Sequence, residues 1–447
     1  MTQLMRARVV LSLLIGLVAL TPAKGEEPLQ DHFDRIAKEV GTVVGIELEK
    51  QVTAEWVTRD EYLKIMRSQV DIFFPKNRLG GLLRSWQLLG LVDDKFDLEG
   101  LLDRTVTVVG ASYNPDTKSV QLLPGSEKSE KRVTDETVFH ELVHAVQDQR
   151  HDLKRIHERL GTLASTDATM AYRFLSEGEA MFWPTLYRQQ MTLEQALRLP
   201  PKAQTEIFGD DEPLTSQTIH RNYEHNAKRD PQLITLATAM KRFPPLMVRY
   251  LSLPYAKGDN AVLRIVKRGG RQALRQSFED VSSLNTRDML FPDPQKEEPR
   301  GVTKVQLASV EEKFGNQWKL KHDDTMGALV LNTMFEHRED QAIEIAKSWN
   351  GDRIQLWEDA NEGVVLLGRV EFETAEGAKL FETEFIRLCR EKWMGGKTIR
   401  ELESDGTHLA ADGDHFVLER RECSVVFLRG TGCRNAASVA SAIWENK

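Results

Sequence analysis

The sequence predicts an α+β fold in which a mainly helical region with a short β-hairpin is followed by a smaller α+β domain. In the first hundred residues, DHFDRIAKEVGTVVGIEL and TRDEYLKIMRSQVDIFF place apolar residues three and four positions apart, as amphipathic helices do. RTVTVVGASYNPDTKSVQLLPG then changes to alternating, β-branched sequence around a turn-forming Asn-Pro-Asp. After residue 300, apolar strands alternate with amphipathic helices, which indicates a separate α+β domain.

The first elements follow from these patterns in chain order. Residues 28–102 are expected to be mainly helical, and the hairpin is expected to span residues 105–123. After a polar loop, a helix begins near Asp135, where Thr134 or Asp135 can cap it and Glu136 in the first turn favours the helix dipole.

A second helix begins near Asp167 and is expected to stop near Pro184, because proline cannot donate a helical hydrogen bond. More helix follows to about Lys241. The Pro- and charge-rich DPQKEEPR indicates a linker. The sequence thus predicts a signal peptide at 1–25, the helical domain at 26–292, the linker at 293–302, and the C-terminal domain at 303–447.

The C-terminal domain is predicted from five segments. DRIQLWED and EGVVLLGRVEFET have the pattern of strands, and AEGAKLFETEFIRLCREKW that of an amphipathic helix. HFVLERRECSVVFLRG supplies two further strands, and RNAASVASAIWEN a closing helix. All three cysteines lie here; Cys423 and Cys433 flank a strand end, and the sequence leaves open whether they pair.

Charge and the N-terminal pattern narrow the partners and the compartment. The net charge of −8 is spread along the chain without a dense Lys/Arg block, which argues against a nucleic-acid partner. MTQLMRARVVLSLLIGLVALTPAKG has a basic start, an apolar run from Val9 to Leu20, and small residues at Ala23 and Gly25, as a cleaved secretory signal peptide does. The run is too short to cross a bilayer core of ~30 Å, and no later run is longer. We therefore expect a secreted or periplasmic protein without a stable membrane span.

The segment FHELVHAVQDQ carries the main chemical signal. On a helix, residues four apart share one face, so His140 and His144 can both bind one Zn²⁺. Glu141 lies beside them and can act as general base on a zinc-activated water. Apolar neighbours indicate that this helix is buried, which makes two unpartnered surface histidines the weaker interpretation.

The third protein ligand must come from elsewhere. His151 lies seven residues past His144, a rise of ~10 Å along a helix, so it cannot share the same ion. The next helix offers Glu177 and Glu179 in SEGEA, either side of Gly178, whose small size lets helices approach closely. Both glutamates border the apolar face, and periodicity alone does not choose between them.

HELVHAVQDQRHDL followed by LSEGEA resembles a group of largely uncharacterised exported bacterial proteins with a gluzincin-type zinc peptidase signature, HELxHAxQDQ and then EGxA. Three other segments are similar to that group: VVGASYNPDTKSVQLL, LPYAKGDNAVLRIVKRGG and WNGDRIQLWED. The resemblance covers most of the mature chain, but only the metal motifs are specific. It implies a zincin-like metallopeptidase domain over 26–292 and, from the glutamate of EGxA, Glu177 as the third zinc ligand.

The sequence also departs from related patterns. The aminopeptidase GxMEN motif is absent, so aminopeptidase activity is not implied, and Met181 replaces the thermolysin-type aspartate after the glutamate ligand. Asp148, one turn beyond His144, is the best candidate to orient an imidazole or to hold the second helix. Candidates for stabilising an oxyanion are Tyr255, Tyr223 and His225, and the sequence does not choose among them.

Two functions are consistent with these residues. The leading hypothesis is an exported zinc metallopeptidase, an endopeptidase rather than an aminopeptidase, with one Zn²⁺ per chain on His140, His144 and Glu177 and with Glu141 as base. Its partner would be a peptide or protein substrate. The alternative is a non-catalytic zincin-fold binding or scaffold protein whose C-terminal α+β domain carries recognition.

Overall fold

The structure is a computed structural model of the chain. It describes residues 28–73, 76–106, 109–123, 133–210, 214–228, 233–292, 299–307, 311–315, 317–394, 399–402, 406–433 and 435–444. The predicted signal peptide and residues 293–298 of the predicted linker lie outside these ranges. Among the described residues, no helix combines the length and the apolar character that crossing a membrane requires.

The helical elements precede a strand-rich C-terminal part. The helices are α1 (Leu29–Val44), α2 (Arg59–Phe73), α3 (Lys76–Leu88), α4 (Leu98–Val106), α5 (Asp135–His151), α6 (Leu153–Thr162), α7 (Thr166–Arg188), α8 (Leu193–Arg198), α9 (Pro201–Phe208), α10 (Ser216–Ala227), α11 (Leu233–Met240), α12 (Pro245–Glu279), α13 (Thr286–Leu290), α14 (Glu311–Phe314), α15 (Ala328–Met334), α16 (Glu339–Ser348), α17 (Ala375–Leu388, continued by a π-helix at Cys389–Trp393) and α18 (Ala436–Ala442). The strands are β1 (Thr53–Trp56), β2 (Ala111–Asn114), β3 (Ser119–Leu122), β4 (Trp318–Asp324), β5 (Trp349–Asp359), β6 (Val364–Phe372), β7 (Arg400–Leu402), β8 (Thr407–Ala411), β9 (Asp414–Arg421) and β10 (Ser424–Thr431). This distribution confirms the predicted α+β fold class.

The chain groups into two compact units that are not simple halves of the sequence. The first unit contains the described residues up to Phe73, together with Asp97–Thr162 and Ala171–Val281. The second contains Phe74–Phe96, Leu163–Met170 and the residues from Ser282 onward. The predicted limits at 26–292 and 303–447 remain predictions; the grouping by contacts differs from them in assigning two earlier segments to the second unit.

A small three-stranded sheet accompanies the helices of the first unit. Strands β2 and β3 form the predicted antiparallel hairpin, in which Asn114 closes the turn by accepting hydrogen bonds from Asp116 and Lys118. The hairpin begins at Ala111 rather than at Thr105, because Thr105 still belongs to α4. Strand β1 pairs with β3 in parallel, so β2 lies at an edge of the sheet.

Helix α7 continues through Pro184 to Arg188, so the predicted end near Pro184 is wrong. Proline costs the helix one hydrogen bond, but Phe182, Trp183 and Leu186 are fully buried around it, and their packing keeps the helix continuous.

Helices α7 and α12 are in direct backbone contact at a pair of glycines. A Cβ atom at Gly178 would lie 2.4 Å from the carbonyl oxygen of Gly258, and one at Gly258 would lie 2.6 Å from the Cα of Gly178. Neither position therefore has room for a side chain. Helix α12 is interrupted further on at Gly269 and Gly270, where Gly270 has a φ of 62°.

The second unit is built on a seven-stranded antiparallel sheet in the order β4-β5-β6-β10-β9-β8-β7. Phe385 of α17 packs on Phe416 and Phe427 on one face, whereas Val439 of α18 clusters with Val417 on the other. Since both faces are covered, the central strands have near-continuous apolar sequence. The three cysteines are free thiols, so the pairing of Cys423 with Cys433 that the sequence left open is not formed.

Candidate metal centre

Helix α5 is capped at its N-terminus, and most of its residues are buried. Thr134 is the cap: its hydroxyl accepts a hydrogen bond from the backbone N–H of Thr137 at 3.1 Å, and Asp135 and Glu136 occupy the first turn. His140 and Glu141 are 3% and 6% exposed. Polar groups buried to this degree require partners, so their surroundings define the site.

Three ligand atoms from α5 and α7 converge on one point. The Nε2 atoms of His140 and His144 lie 3.2 Å apart, and each lies 3.4 Å from Oε2 of Glu177. In a tetrahedral zinc site with bonds of ~2.0–2.1 Å, neighbouring ligand atoms are about 3.3–3.4 Å apart. This group can hold a metal ion.

The hydrogen bonding of the group is consistent with a cation at its centre. Oε2 of Glu177 is buried, and the structure describes no hydrogen-bond partner of normal geometry for it. Burial alone would raise the pKa of Glu177, but the two imidazoles and Arg173 hold this pKa well below its ordinary value. The group therefore presents a carboxylate rather than a neutral acid.

The pKa of His144 changes in the opposite direction. Burial would lower it, but the charges of Glu177 and Glu141 and the hydrogen bonds of the ring raise it to about 9. Without a metal, the imidazole is therefore protonated at neutral pH. A metal ion that binds there has to displace this proton, since only the neutral imidazole can be a ligand.

The two glutamates of SEGEA have different surroundings. Glu177 reaches the histidines, whereas Glu179 accepts hydrogen bonds from Gln147 and from the indole of Trp183, both at 3.0 Å. Burial raises the pKa of Glu179. Residues two apart on a helix are rotated by about 200° around its axis, so they point to nearly opposite sides. This is why only one of the two glutamates contributes to the metal group.

Glu141 is fixed by the hairpin. Its Oε2 accepts a hydrogen bond of 2.7 Å from the backbone N–H of Tyr113, on edge strand β2. The phenol of Tyr113 in turn donates to Asp148 at 2.6 Å. Asp148 also accepts hydrogen bonds from Lys118 and from the backbone N–H of Leu153.

Asp148 therefore connects α5 to the hairpin and to the start of α6. The sequence predicts that Asp148 orients an imidazole or holds the second helix. In the structure it is the neighbouring Gln147 that makes the hydrogen bond to the imidazole of His144, through Oε1 and Nδ1 at 2.9 Å. Gln147 also contacts α7, where it donates to the backbone carbonyl of Ser176.

Tyr255 lies against the metal group, on α12. Its ring stacks on that of His140 with centroids 6.2 Å apart. Burial raises the pKa of its phenol well above the ordinary value, and the charge of Glu177 raises it further. The other two candidates lie elsewhere: the hydroxyl of Tyr223 is 3.0 Å from that of Ser252, and His225 is exposed.

Two further residues at the group were not singled out from the sequence. Arg173 lies 3.5 Å from Oε1 of Glu177 and covers the ring of Tyr250 at 4.6 Å. Tyr62 of α2 is buried, and its pKa is raised by burial and by the charges of Glu141 and Glu177. The helical spacing of Arg173, four residues before Glu177, could have indicated it; no local pattern indicates Tyr62.

His151 is separate from the metal group. Its ring stacks on Phe278 with centroids 4.7 Å apart and an interplanar angle of 10°. This position agrees with its exclusion as a ligand on grounds of helical rise.

Comparison with known proteins gives one match. The family model of a domain of unknown function, DUF8575, matches residues 316–440. No curated protein and no solved structure is matched by the chain. The matched residues lie in the second unit, so the metal group is outside the region that this family describes.

Proposed function

We propose that the chain is a gluzincin-type zinc metallopeptidase that hydrolyses peptide bonds. The observation that supports this most strongly is the convergence of His140, His144 and Glu177, whose ligand atoms are separated by the edge length of a zinc tetrahedron. We further propose one Zn²⁺ per chain and, from the signal-peptide pattern in residues 1–25, activity outside the cytoplasm.

The donor set favours zinc over other common ions. Two imidazole nitrogens and one carboxylate oxygen are the protein ligands of many catalytic zinc sites, which keep a fourth position open. Calcium and magnesium prefer six or more oxygen ligands, and the group does not provide them among the described residues.

When bound, zinc supplies Lewis-acid chemistry that polarises a carbonyl group and acidifies water. The chain's own residues would supply the rest. Glu141, held at one carboxylate oxygen by the N–H of Tyr113, would take up a proton from the attacking water at the other. Tyr255, whose phenol carries its proton at neutral pH and whose ring lies against that of His140, would donate a hydrogen bond to the developing oxyanion.

The test combines zinc content with cleavage of a peptide library for the wild type and for Glu141→Gln. Glutamine retains an acceptor for the N–H of Tyr113 but cannot accept a proton from water. We expect Glu141→Gln to keep about one zinc per chain and to lose cleavage by at least ~100-fold, the scale of general-base catalysis. Glu136→Gln, on the first turn of the same helix, is the matched control.

Two results would contradict the proposal. Wild-type protein purified without chelators that contains no zinc would remove the metal site. Undiminished cleavage by Glu141→Gln would remove the assigned base. Zinc without any cleavage would favour the non-catalytic zincin-fold alternative, in which the C-terminal domain carries recognition.

A further inference from the structure

A chain of buried hydrogen bonds leads from His144 away from the metal group. The Nδ1 atom of His144 is 2.9 Å from Oε1 of Gln147. The Nε2 atom of Gln147 donates to Oε2 of Glu179 at 3.0 Å, and the other oxygen of Glu179 accepts from the indole of Trp183 at 3.0 Å. All three residues beyond His144 are at least 95% buried, so water does not substitute for these partners.

These contacts leave the side-chain amide of Gln147 one orientation. Its nitrogen donates to the backbone carbonyl of Ser176 at 2.9 Å, which can only accept a hydrogen bond, and also donates to Glu179. Its oxygen accepts from the hydroxyl of Ser176 at 3.0 Å. Because the oxygen is thus directed at His144, the neutral imidazole that a metal ion requires must carry its proton on Nδ1, which leaves the lone pair of Nε2 for the metal.

We propose that Gln147 and Glu179 are positioning residues that fix the tautomer and ring orientation of His144 for metal binding. Gln147 acts directly on the imidazole, and Glu179 acts by fixing the amide of Gln147. The inference rests on the metal site of the proposed function. It differs from the usual arrangement, in which a carboxylate or backbone carbonyl contacts the ligating histidine directly.

The other histidine provides an internal contrast. Nδ1 of His140 is buried, and the structure describes no hydrogen-bond partner for it. The ring of His140 is instead packed against Tyr255. Among the described residues, a chain of hydrogen bonds therefore holds His144 but not His140, and only His144 should respond to changes in Gln147 and Glu179.

The test measures zinc affinity by competition with a chromophoric chelator and records the visible spectrum of the cobalt-substituted protein. Gln147→Leu removes the acceptor for His144, and we expect its zinc affinity to fall about 10–100-fold, the usual effect of losing such a partner. Gln149→Leu is the matched control: it changes the same residue type on the same helix, where Gln149 contacts only residues 49 and 50 through its described bonds.

An exchange of the two side chains separates positioning from packing. Gln147→Glu places two carboxylates together. When it is combined with Glu179→Gln, the carboxylate at position 147 can accept from His144, and the amide at position 179 can donate to that carboxylate. We expect the double variant to regain, on a logarithmic scale, at least half of the zinc affinity that Gln147→Glu alone loses. We also expect its cobalt spectrum to be that of the wild type.

The outcomes are distinct for the two proposals. If the wild type binds no zinc, the proposed function fails. If the wild type binds zinc but Gln147→Leu binds it equally well, the positioning role is wrong and the proposed function stands. A double variant as weak as Gln147→Glu alone, with an unchanged melting temperature of the metal-free protein, would also overturn the relay.

Discussion

The two units use buried carboxylates in different ways. In the second unit, Asp352 has every oxygen satisfied: Oδ1 accepts from the N–H of Gly327 and the indole of Trp349, and Oδ2 accepts from the N–H of Met326. In the first unit, Oε2 of Glu177 has no such donor among the described residues and instead faces two imidazole nitrogens.

The difference separates carboxylates that are hydrogen-bonded within the fold from one that belongs to a group able to hold a metal ion. A carboxylate surrounded by backbone N–H groups stabilises a loop or a helix start, and these hydrogen bonds offset part of its cost of burial. Asp167, which accepts from the N–H and hydroxyl of Thr286, belongs to the same class as Asp352. The carboxylate of Glu177 instead faces two imidazoles, and once both rings are neutral the three groups can hold a metal ion.

The largest effect should come from exchanging Glu177 for glutamine. Glu177→Gln keeps the shape of the side chain but removes the charge that faces the histidines, so we expect zinc affinity to fall by more than the ~100-fold upper range for outer contacts, together with loss of cleavage. Competition titration and zinc content measure this. Glu179→Gln should lose less zinc affinity than Glu177→Gln. A larger loss of zinc affinity in Glu179→Gln would reverse the ligand assignment.

A smaller effect, on stability alone, is expected in the second unit. Asp352→Ala leaves three buried donors without an acceptor, at ~1–3 kcal/mol for each group that water cannot reach, so we expect a loss of at least about 3 kcal/mol in the free energy of unfolding. Urea denaturation followed by tryptophan fluorescence measures it. Zinc affinity should be unchanged, and Asp340→Ala, on an exposed helix start, is the control.

The smallest predicted effect concerns acid stability. Burial, and to a lesser extent Arg150, lowers the pKa of His151 to about 4. The unfolded chain therefore binds a proton below about pH 6.5 that the folded chain does not. Above that pH, His151 does not reduce the free energy of unfolding. Below it, the reduction grows as the pH falls towards 4.

Replacing His151 by phenylalanine keeps the stacking on Phe278 and removes this titration. Between pH 7 and pH 5, we expect the free energy of unfolding to fall by about 1 kcal/mol less in His151→Phe than in the wild type. This figure is discounted for the partial exposure of the ring. Melting temperatures at the two pH values measure it. Asp167 and Asp352 respond in the opposite sense, because burial raises their pKa values to about 7 and about 6 and acidification therefore favours their folded forms. Equal acid sensitivity of wild type and variant would contradict the assignment.

The sequence predicted the parts of the fold that depend on local periodicity. The four-residue spacing of His140 and His144 is a property of any helix, and the turn residues of the hairpin act within five positions. The parallel pairing of β1 with β3 joins residues more than sixty positions apart, and no local pattern encodes it.

The sequence also does not predict contacts that depend on how one helix is rotated relative to another. Choosing Glu177 over Glu179 requires the rotation of α7 relative to α5, which periodicity does not contain. Gln147 and Asp148 are adjacent in sequence but point about 100° apart on the helix. That single step decides which of them meets His144 and which meets Tyr113.

The glycine contact between α7 and α12 has a consequence for how the site tolerates change. Gly178 follows Glu177 directly, and Gly258 lies three residues after Tyr255. Because main chain meets main chain at this crossing, no rotamer can adjust to alter the spacing of the two helices. The spacing between Glu177 and Tyr255 is therefore set by contact between the two backbones, and a side chain at either glycine would push the two helices, and these two residues with them, apart.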